Sequence, residues 1–176
     1  REMLSRARTR LGKVTPRVTD LPNHILRPDY AMTGRPSDPP MTRYTVHDED
    51  GVSRMREAGR LTAEALDFAA KQIEVGISKD EVDRRIHDFI IANGAYPAPL
   101  NYRAFPKSSC ISCNDVICHG IPDMNELKEG DLVSIDISLY TKDGYFGDSC
   151  RTSAVGENVE QEDLDLMRRS EEITLA

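Results

Sequence analysis

The stretch Leu132–Tyr140 limits what this chain can become more than any other. Val133, Ile135, Ile137 and Leu139 point to one side of an extended strand, and Ser134, Asp136 and Ser138 point to the other. Such strict alternation predicts a half-buried strand. Thr141-Lys142-Asp143-Gly144 supplies a hairpin turn, and a return strand is expected from residue 145 to about residue 155. The apolar face of this hairpin needs a covering layer.

Two upstream helices can provide it. Over residues 48–73, Val52, Met55, Gly59, Thr62, Leu66, Ala69 and Ile73 recur at steps of three and four. Asp48 is the expected N-cap, and Gly76 can end the helix in a left-handed conformation. Ser78 and Glu81 then form a capping box, with Ile77 and Val82 placed as a hydrophobic staple. Val82, Ile86, Phe89 and Ile90 make the buried stripe, and Asn93-Gly94 stops the helix. Residues 107–119 read as short strands joined by a turn at Asn114-Asp115. A last amphipathic pattern, with Leu164, Met167 and Ile173, begins a helix near Glu160. This order predicts an α+β fold, with helices packed on an antiparallel sheet.

Residues 1–45 differ in kind. They hold six of the ten prolines and little apolar periodicity. They read as a basic, Pro-rich arm, either laid over a body or partly disordered, ahead of a folded domain at 46–176. Residues 1–46 carry nine Lys/Arg against four acids, so the chain's acid excess lies entirely in the remainder. The basic start fits either a targeting remnant or a solvated arm. A net charge of −7 argues against a general nucleic-acid binder. No run approaches the ~20 apolar residues of a membrane helix. Four cysteines in a chain of this size do not suit a disulfide scaffold.

Asp136 and Asp148 are the first candidates for chemistry. If the strands pair about Lys142 they are directly opposed, with Cβ atoms roughly 4.5–5.5 Å apart. Carboxylates that close repel unless one takes a proton or a cation sits between them. Divalent ions about 3.5–4 Å apart would suit bridging carboxylates. The alternative is two solvated acids. A two-residue Asp143-Gly144 turn would instead set Asp136 opposite Arg151. His119 follows the apolar Val116-Ile117 and precedes Gly120-Ile121-Pro122, so it is expected at a strand end, as a substrate donor or acid–base group or as a backbone-satisfied histidine. Cys110, Cys113 and Cys118 lack the spacing of a zinc knuckle and read as thiols lining a core or pocket. Cys118 and His119, as strand neighbours, would face opposite ways and cannot act as a nucleophile pair.

Several ordered blocks resemble one family. They are Asn93-Gly94-Ala95-Tyr96-Pro97-Ala98-Pro99-Leu100-Asn101-Tyr102 with Phe105-Pro106-Lys107-Ser108, then Asn114-Asp115-Val116-Ile117-Cys118-His119-Gly120-Ile121-Pro122-Asp123. Gly130-Asp131-Leu132-Val133-Ser134-Ile135-Asp136-Ile137 and Asp143-Gly144-Tyr145-Phe146-Gly147-Asp148 complete them. Together they are similar to type 1 methionine aminopeptidases, from about Asn23 onward. The resemblance implies the N-terminal half of a pita-bread fold, whose two related halves enclose two divalent metal ions (Co, Mn, Fe or Zn). It implies Asp136 and Asp148 as metal ligands, with Asp148 bridging. His119 would contact the substrate, and Tyr102, Phe105 and Cys110 would take the methionine side chain. The implied activity is removal of N-terminal methionine from nascent polypeptides, with ribosome association as one setting, and with neither nucleic acid nor membrane as partner.

Three departures accompany the resemblance. The family's other ligands, a His and two Glu, have no counterpart after Asp148, so the 176 residues alone are not expected to be an active peptidase. A non-catalytic binding module or inactive fragment is then the alternative. The two aspartates are twelve apart rather than the usual eleven, and Phe146 stands where relatives usually carry His. Gly12-Lys13-Val14-Thr15-Pro16-Arg17 and His24-Ile25-Leu26-Arg27-Pro28-Asp29-Tyr30 resemble the lead-in of organellar members, which favours mitochondrion or plastid over cytoplasm.

Overall fold

A computed structural model describes residues 9–18, 21–37 and 45–176. Of the arm's basic residues, Arg1, Arg6, Arg8 and Arg43 lie outside the described residues. Helix α1 (Glu49–Ala70) begins at Asp48, whose carboxylate accepts the Gly51 N–H at 2.8 Å. It stops sooner than the periodicity suggests. Gly76, at φ +88°, serves the link to the next helix, and its N–H donates to the Leu127 carbonyl.

Helix α2 (Lys79–Ala92) is capped by Ser78, whose hydroxyl accepts the Glu81 N–H at 3.1 Å. The return half of the capping box gives way to ion pairs, because the Glu81 carboxylate accepts from Arg84 and Arg85 instead. Ala58, Thr62, Ala65, Leu66 and Ala69 of α1, with Val82, Ile86 and Ile90 of α2, form the buried faces.

The sheet is antiparallel throughout. Strands β1 (Tyr96–Pro97) and β2 (Cys110–Cys113) share one edge of β3 (Leu132–Tyr140), and β4 (Phe146–Ala154) pairs along the other. Ile111, Val133, Ile135, Ile137 and Leu139 pack with the helical stripes in one core. Each such aliphatic side chain contributes roughly 1.5–3 kcal/mol by leaving water. On the helix side of β4, Gly147, Ser149 and Ser153 are small. A Cβ at Gly147 would lie closer than 3 Å to the Ala58 carbonyl and the Thr62 hydroxyl, so α1 rests directly on the β4 backbone. Helix α3 (Gln161–Leu175) starts after Glu160, and none of its residues is buried.

Two local expectations need correction. Residues 114–119 form no strand. Asn114, at φ +53°, turns the chain away after Cys113, and its side chain bonds Asp131 and the Leu132 N–H. The apolar Val116-Ile117 therefore has no partner strand, and Ile117 is 95% exposed. The hairpin turn is centred on Asp143. Gly144 N–H donates to the Thr141 carbonyl and Thr141 N–H to the Tyr145 carbonyl, with Gly144 at φ +81°. This is a three-residue loop closed by a left-handed residue.

The described parts of the arm lie on the body. Leu21, Ile25, Tyr30 and Ala31 form a second core with Tyr96 and Leu100. Gly12 N–H donates to Asp123, which also pairs with the buried Lys79 at 3.0 Å. Arg17 reaches Asp83, a fully buried acid of α2, with Nε and Nη2 each 2.9 Å from Oδ2. The other oxygen of Asp83 accepts the N–H groups of Ser108 and Ser109 and the Ser109 hydroxyl at 2.9–3.0 Å. One carboxylate thus joins arm, helix and the segment entering β2.

Among the described residues, no helix is long and apolar enough to cross a membrane. Asp83→Ala leaves three donors without an acceptor and leaves Arg17 with Asp80 alone, 3.5 Å away. Its expected cost is about 3–5 kcal/mol, the range for breaking a buried pair, read from urea unfolding followed by circular dichroism.

Candidate metal centre

The turn centred on Asp143 decides the register. Asp136 lies opposite Cys150, and Asp148 lies opposite Ser138. Neither the pairing about Lys142 nor the contact with Arg151 occurs, because the loop is one residue out of step with the first and an extra residue longer than the second. Arg151 faces the helices and pairs with Asp67 of α1 at 2.6 Å. Asp136 and Asp148 are nevertheless diagonal neighbours on one face, within side-chain reach. The Asp148 carboxyl is near enough to act directly on the Asp136 carboxyl. The Ser138 hydroxyl donates to Asp148 Oδ1 at 2.9 Å, which orients that carboxylate from the neighbouring strand.

The electrostatics follow from this proximity. Burial, and then the Asp148 carboxyl, raise the Asp136 pKa above the usual carboxylate range, while His119 acts in the opposite direction. Asp136 is also the middle of a row across three strands, Cys110–Asp136–Cys150. Burial and the neighbouring Asp136 push the Cys110 thiol up to about 12, and the same two causes raise Cys150. These cysteines are therefore neutral thiols beside two acids at neutral pH. All four cysteines of the chain are free.

His119 reaches this face by a tight backbone approach. Gly120 donates its N–H to the Ser112 hydroxyl at 3.1 Å and accepts the Ile111 N–H at 2.8 Å. A Cβ at Gly120 would come within 3 Å of the Ile111 carbonyl, so glycine is required there. His119 itself is exposed, with φ +51°, and acts electrostatically on Asp136. The residue stands at a turn beside β2 rather than at the end of a strand.

Tyr102 and Phe105 belong to a separate loop upstream of β2. Asn101, Arg103 and Ala104 in this loop all have left-handed backbone, at φ 61°, 50° and 64°. The Tyr102 ring is 42% exposed. Cys110, by contrast, lies in the row with Asp136. The segment between them is anchored by Asp83 at Ser108 and Ser109, by an ion pair of the buried Lys107 with Asp80, and by His87 Nδ1 on the Ser108 hydroxyl at 2.7 Å. Sequence reasoning missed Asp83 and Arg17. The available signal was an acid between Val82 and Ile86, on the edge of the buried stripe of α2.

Two hard carboxylate donors that are diagonal neighbours suit a divalent cation, which would relieve their repulsion. Among the described residues, no three or more His, Cys, Asp or Glu are grouped to hold one. The face therefore fits part of a metal site.

Residues 53–176 match the model of metallopeptidase family M24. The chain belongs to that family. It is 43% identical over 156 residues to methionine aminopeptidase 1 of Saccharomyces cerevisiae, covering 86% of this chain and 40% of the yeast protein. It is 41% identical to methionine aminopeptidase 1D, chloroplastic/mitochondrial, of Arabidopsis thaliana, over 95% of this chain and 47% of that one. The solved methionine aminopeptidase of Rickettsia prowazekii superposes with a TM-score of 0.68 at 41% identity, over 70% of this chain and 49% of that chain. This M24 chain thus spans about half the length of these relatives, and its α+β fold is the half of a pita-bread architecture expected from its sequence.

His87 offers a check on the packing behind the site. Burial lowers its pKa below the ordinary imidazole value, outweighing the carboxylates of Asp83 and Asp88. The unfolded chain then binds a proton that the folded chain refuses. Stability from this group is fully present above about pH 6.5 and is lost as pH falls from there through the depressed folded value. A His87 ring titration by NMR should have its midpoint below 6.5, and a midpoint above that value would contradict the burial argument.

Proposed function

We propose that this chain contributes one half of a methionine aminopeptidase site, with Asp136 and Asp148 as ligands of two divalent metal ions (Co, Mn, Fe or Zn). The observation that carries this reading is the diagonal placement of the two aspartates on the polar face of the β3–β4 hairpin, in a chain of metallopeptidase family M24. Its support from relatives is that the proteins named above are methionine aminopeptidases.

A bound divalent metal supplies a nucleophilic water at neutral pH and polarises the scissile carbonyl. The residues of this chain do the rest of their share by position. Asp136 and Asp148 hold the cation from two strands, and Ser138 fixes the orientation of Asp148 by its hydrogen bond. His119 donates to the peptide as charge develops on it. Tyr102, Phe105 and Cys110 receive the methionine side chain, since an unbranched thioether packs well against rings and sulfur. The substrates are the N-terminal methionines of nascent polypeptides, which places the work at or near the ribosome. Mitochondrial or plastid residence is the favoured setting, supported by the names of organellar relatives among the matches. Imaging of the fluorescently tagged full gene product would decide the compartment, and uniform cytoplasmic signal would reject the organellar one.

The test of the metal role uses the full gene product with Co²⁺ or Mn²⁺ and a Met-Ala-Ser peptide. Asp148→Asn is expected to lower kcat/KM by more than about 100-fold, the upper range of losses from outer-shell partners alone. Calorimetry should show weaker metal binding in the same variant. Unchanged turnover and metal affinity would refute the assignment.

A further inference from the structure

Tyr30 belongs to the arm, yet it is 4% exposed and sits behind the loop that carries Tyr102. Its ring meets the Tyr102 ring edge-on, with centroids 5.1 Å apart and an interplanar angle of 83°. On its other side it meets Tyr96 in a similar geometry, at 6.5 Å and 76°. The Tyr30 hydroxyl donates to the Ala98 carbonyl at 2.7 Å, and the Ala98 N–H donates in turn to the Ser138 carbonyl of β3. Tyr30 is therefore tied to the sheet by its hydroxyl and pinned by Tyr96, and it presents a fixed ring edge to Tyr102.

The loop it supports needs support. Three of the residues at 101–104 have left-handed backbone without being glycine. Each such residue costs of order 1–3 kcal/mol and persists only where the surroundings over-determine it. Much of that surrounding here is the arm. The Asn101 side chain donates to the Ala31 carbonyl at 3.0 Å, and Gly34 packs against Asn101 and Ala104. Tyr102 is the loop residue with its ring partly in solvent, so its position is set from behind.

We infer that Tyr30 is a positioning residue for the methionine side-chain pocket, holding the Tyr102 ring in place from the arm. This rests on the aminopeptidase reading above. The arm then acts as part of the specificity apparatus.

The experiment compares Tyr30→Leu with Tyr30→Phe in the full gene product. Leucine fills the core but offers no ring edge, whereas phenylalanine keeps the edge and loses only the hydroxyl. Tyr30→Leu should raise KM for Met-Ala-Ser by about tenfold with kcat within about twofold, the scale of one aromatic edge contact. Tyr30→Phe should restore KM to within about twofold of the parent. A merely structural role would instead lower the active fraction, reducing kcat at constant KM. A second readout needs no turnover. Tyr102→Trp in the full gene product, read as its emission minus that of the parent, reports on the surroundings of this ring. Adding Tyr30→Leu should shift its emission to the red. An unchanged KM, or an unchanged emission, overturns the inference. A parent protein that cleaves no methionyl peptide removes the aminopeptidase reading itself, and the inference falls with it.

Discussion

The carboxylate of Asp83 holds together parts of the chain that are far apart in sequence. It sits at zero exposure on α2, with Arg17 of the arm on one oxygen and the backbone of residues 108–109 on the other. A buried acid survives only when its charge is paired and its lone pairs are filled, and both conditions are met here. The consequence is positional. The segment entering β2 cannot slide along α2 without emptying those bonds, so Cys110 keeps its place opposite Asp136. Lys79 with Asp123 and Lys107 with Asp80 repeat the device nearby, and each joins α2 to a different loop.

A second constraint is the central position of β3. It pairs with every other strand of the sheet, so its register is set from both edges at once. The β4 backbone lies directly under α1 because Gly147 has no side chain to hold them apart. Arg54 of α1 also reaches Asp143 at the hairpin tip, at 3.3 Å. The hairpin is thus held at its base, along its length and at its turn. A one-residue slip would turn Val133, Ile135, Ile137 and Leu139 to the polar face, a loss no surface contact could offset.

The strands and helices were readable where local chemistry decides them. β3 alternates apolar and polar, and Asp48, Ser78 and Asn93 cap or stop helices as their side chains dictate. Register was harder to read, because it depends on whether Lys142 or Asp143 takes the central place in the turn. That choice rests on one left-handed residue, and Asp143-Gly144 is compatible with more than one loop length. The apolar Val116-Ile117 misled for a different reason. Strand propensity means little without an edge to pair with, and Asn114 spends its side chain closing the turn before that edge is reached. Asp83 escaped notice because its partners lie 66 residues upstream and 25 residues downstream, beyond any periodic pattern.

These restraints explain why Asp136 and Asp148 meet at all. Two carboxylates on flexible loops would simply move apart, at little cost. Here each lies in a strand whose neighbours are locked, one in the middle of the sheet and one beneath a helix. The separation of their Cα atoms is fixed by backbone pairing, so the strands cannot part to relieve the repulsion, and a proton or a cation relieves it instead. The diagonal placement matters as well. Residues directly opposed would project side by side, whereas the diagonal pair leaves Ser138 free to orient Asp148 and places Cys150, a neutral thiol, beside Asp136. A protein that spends a rigid sheet on holding like charges together makes those charges available to a partner of opposite sign. That is the physical content of the proposed metal role, and it depends on the sheet register rather than on the identity of any single neighbouring ligand.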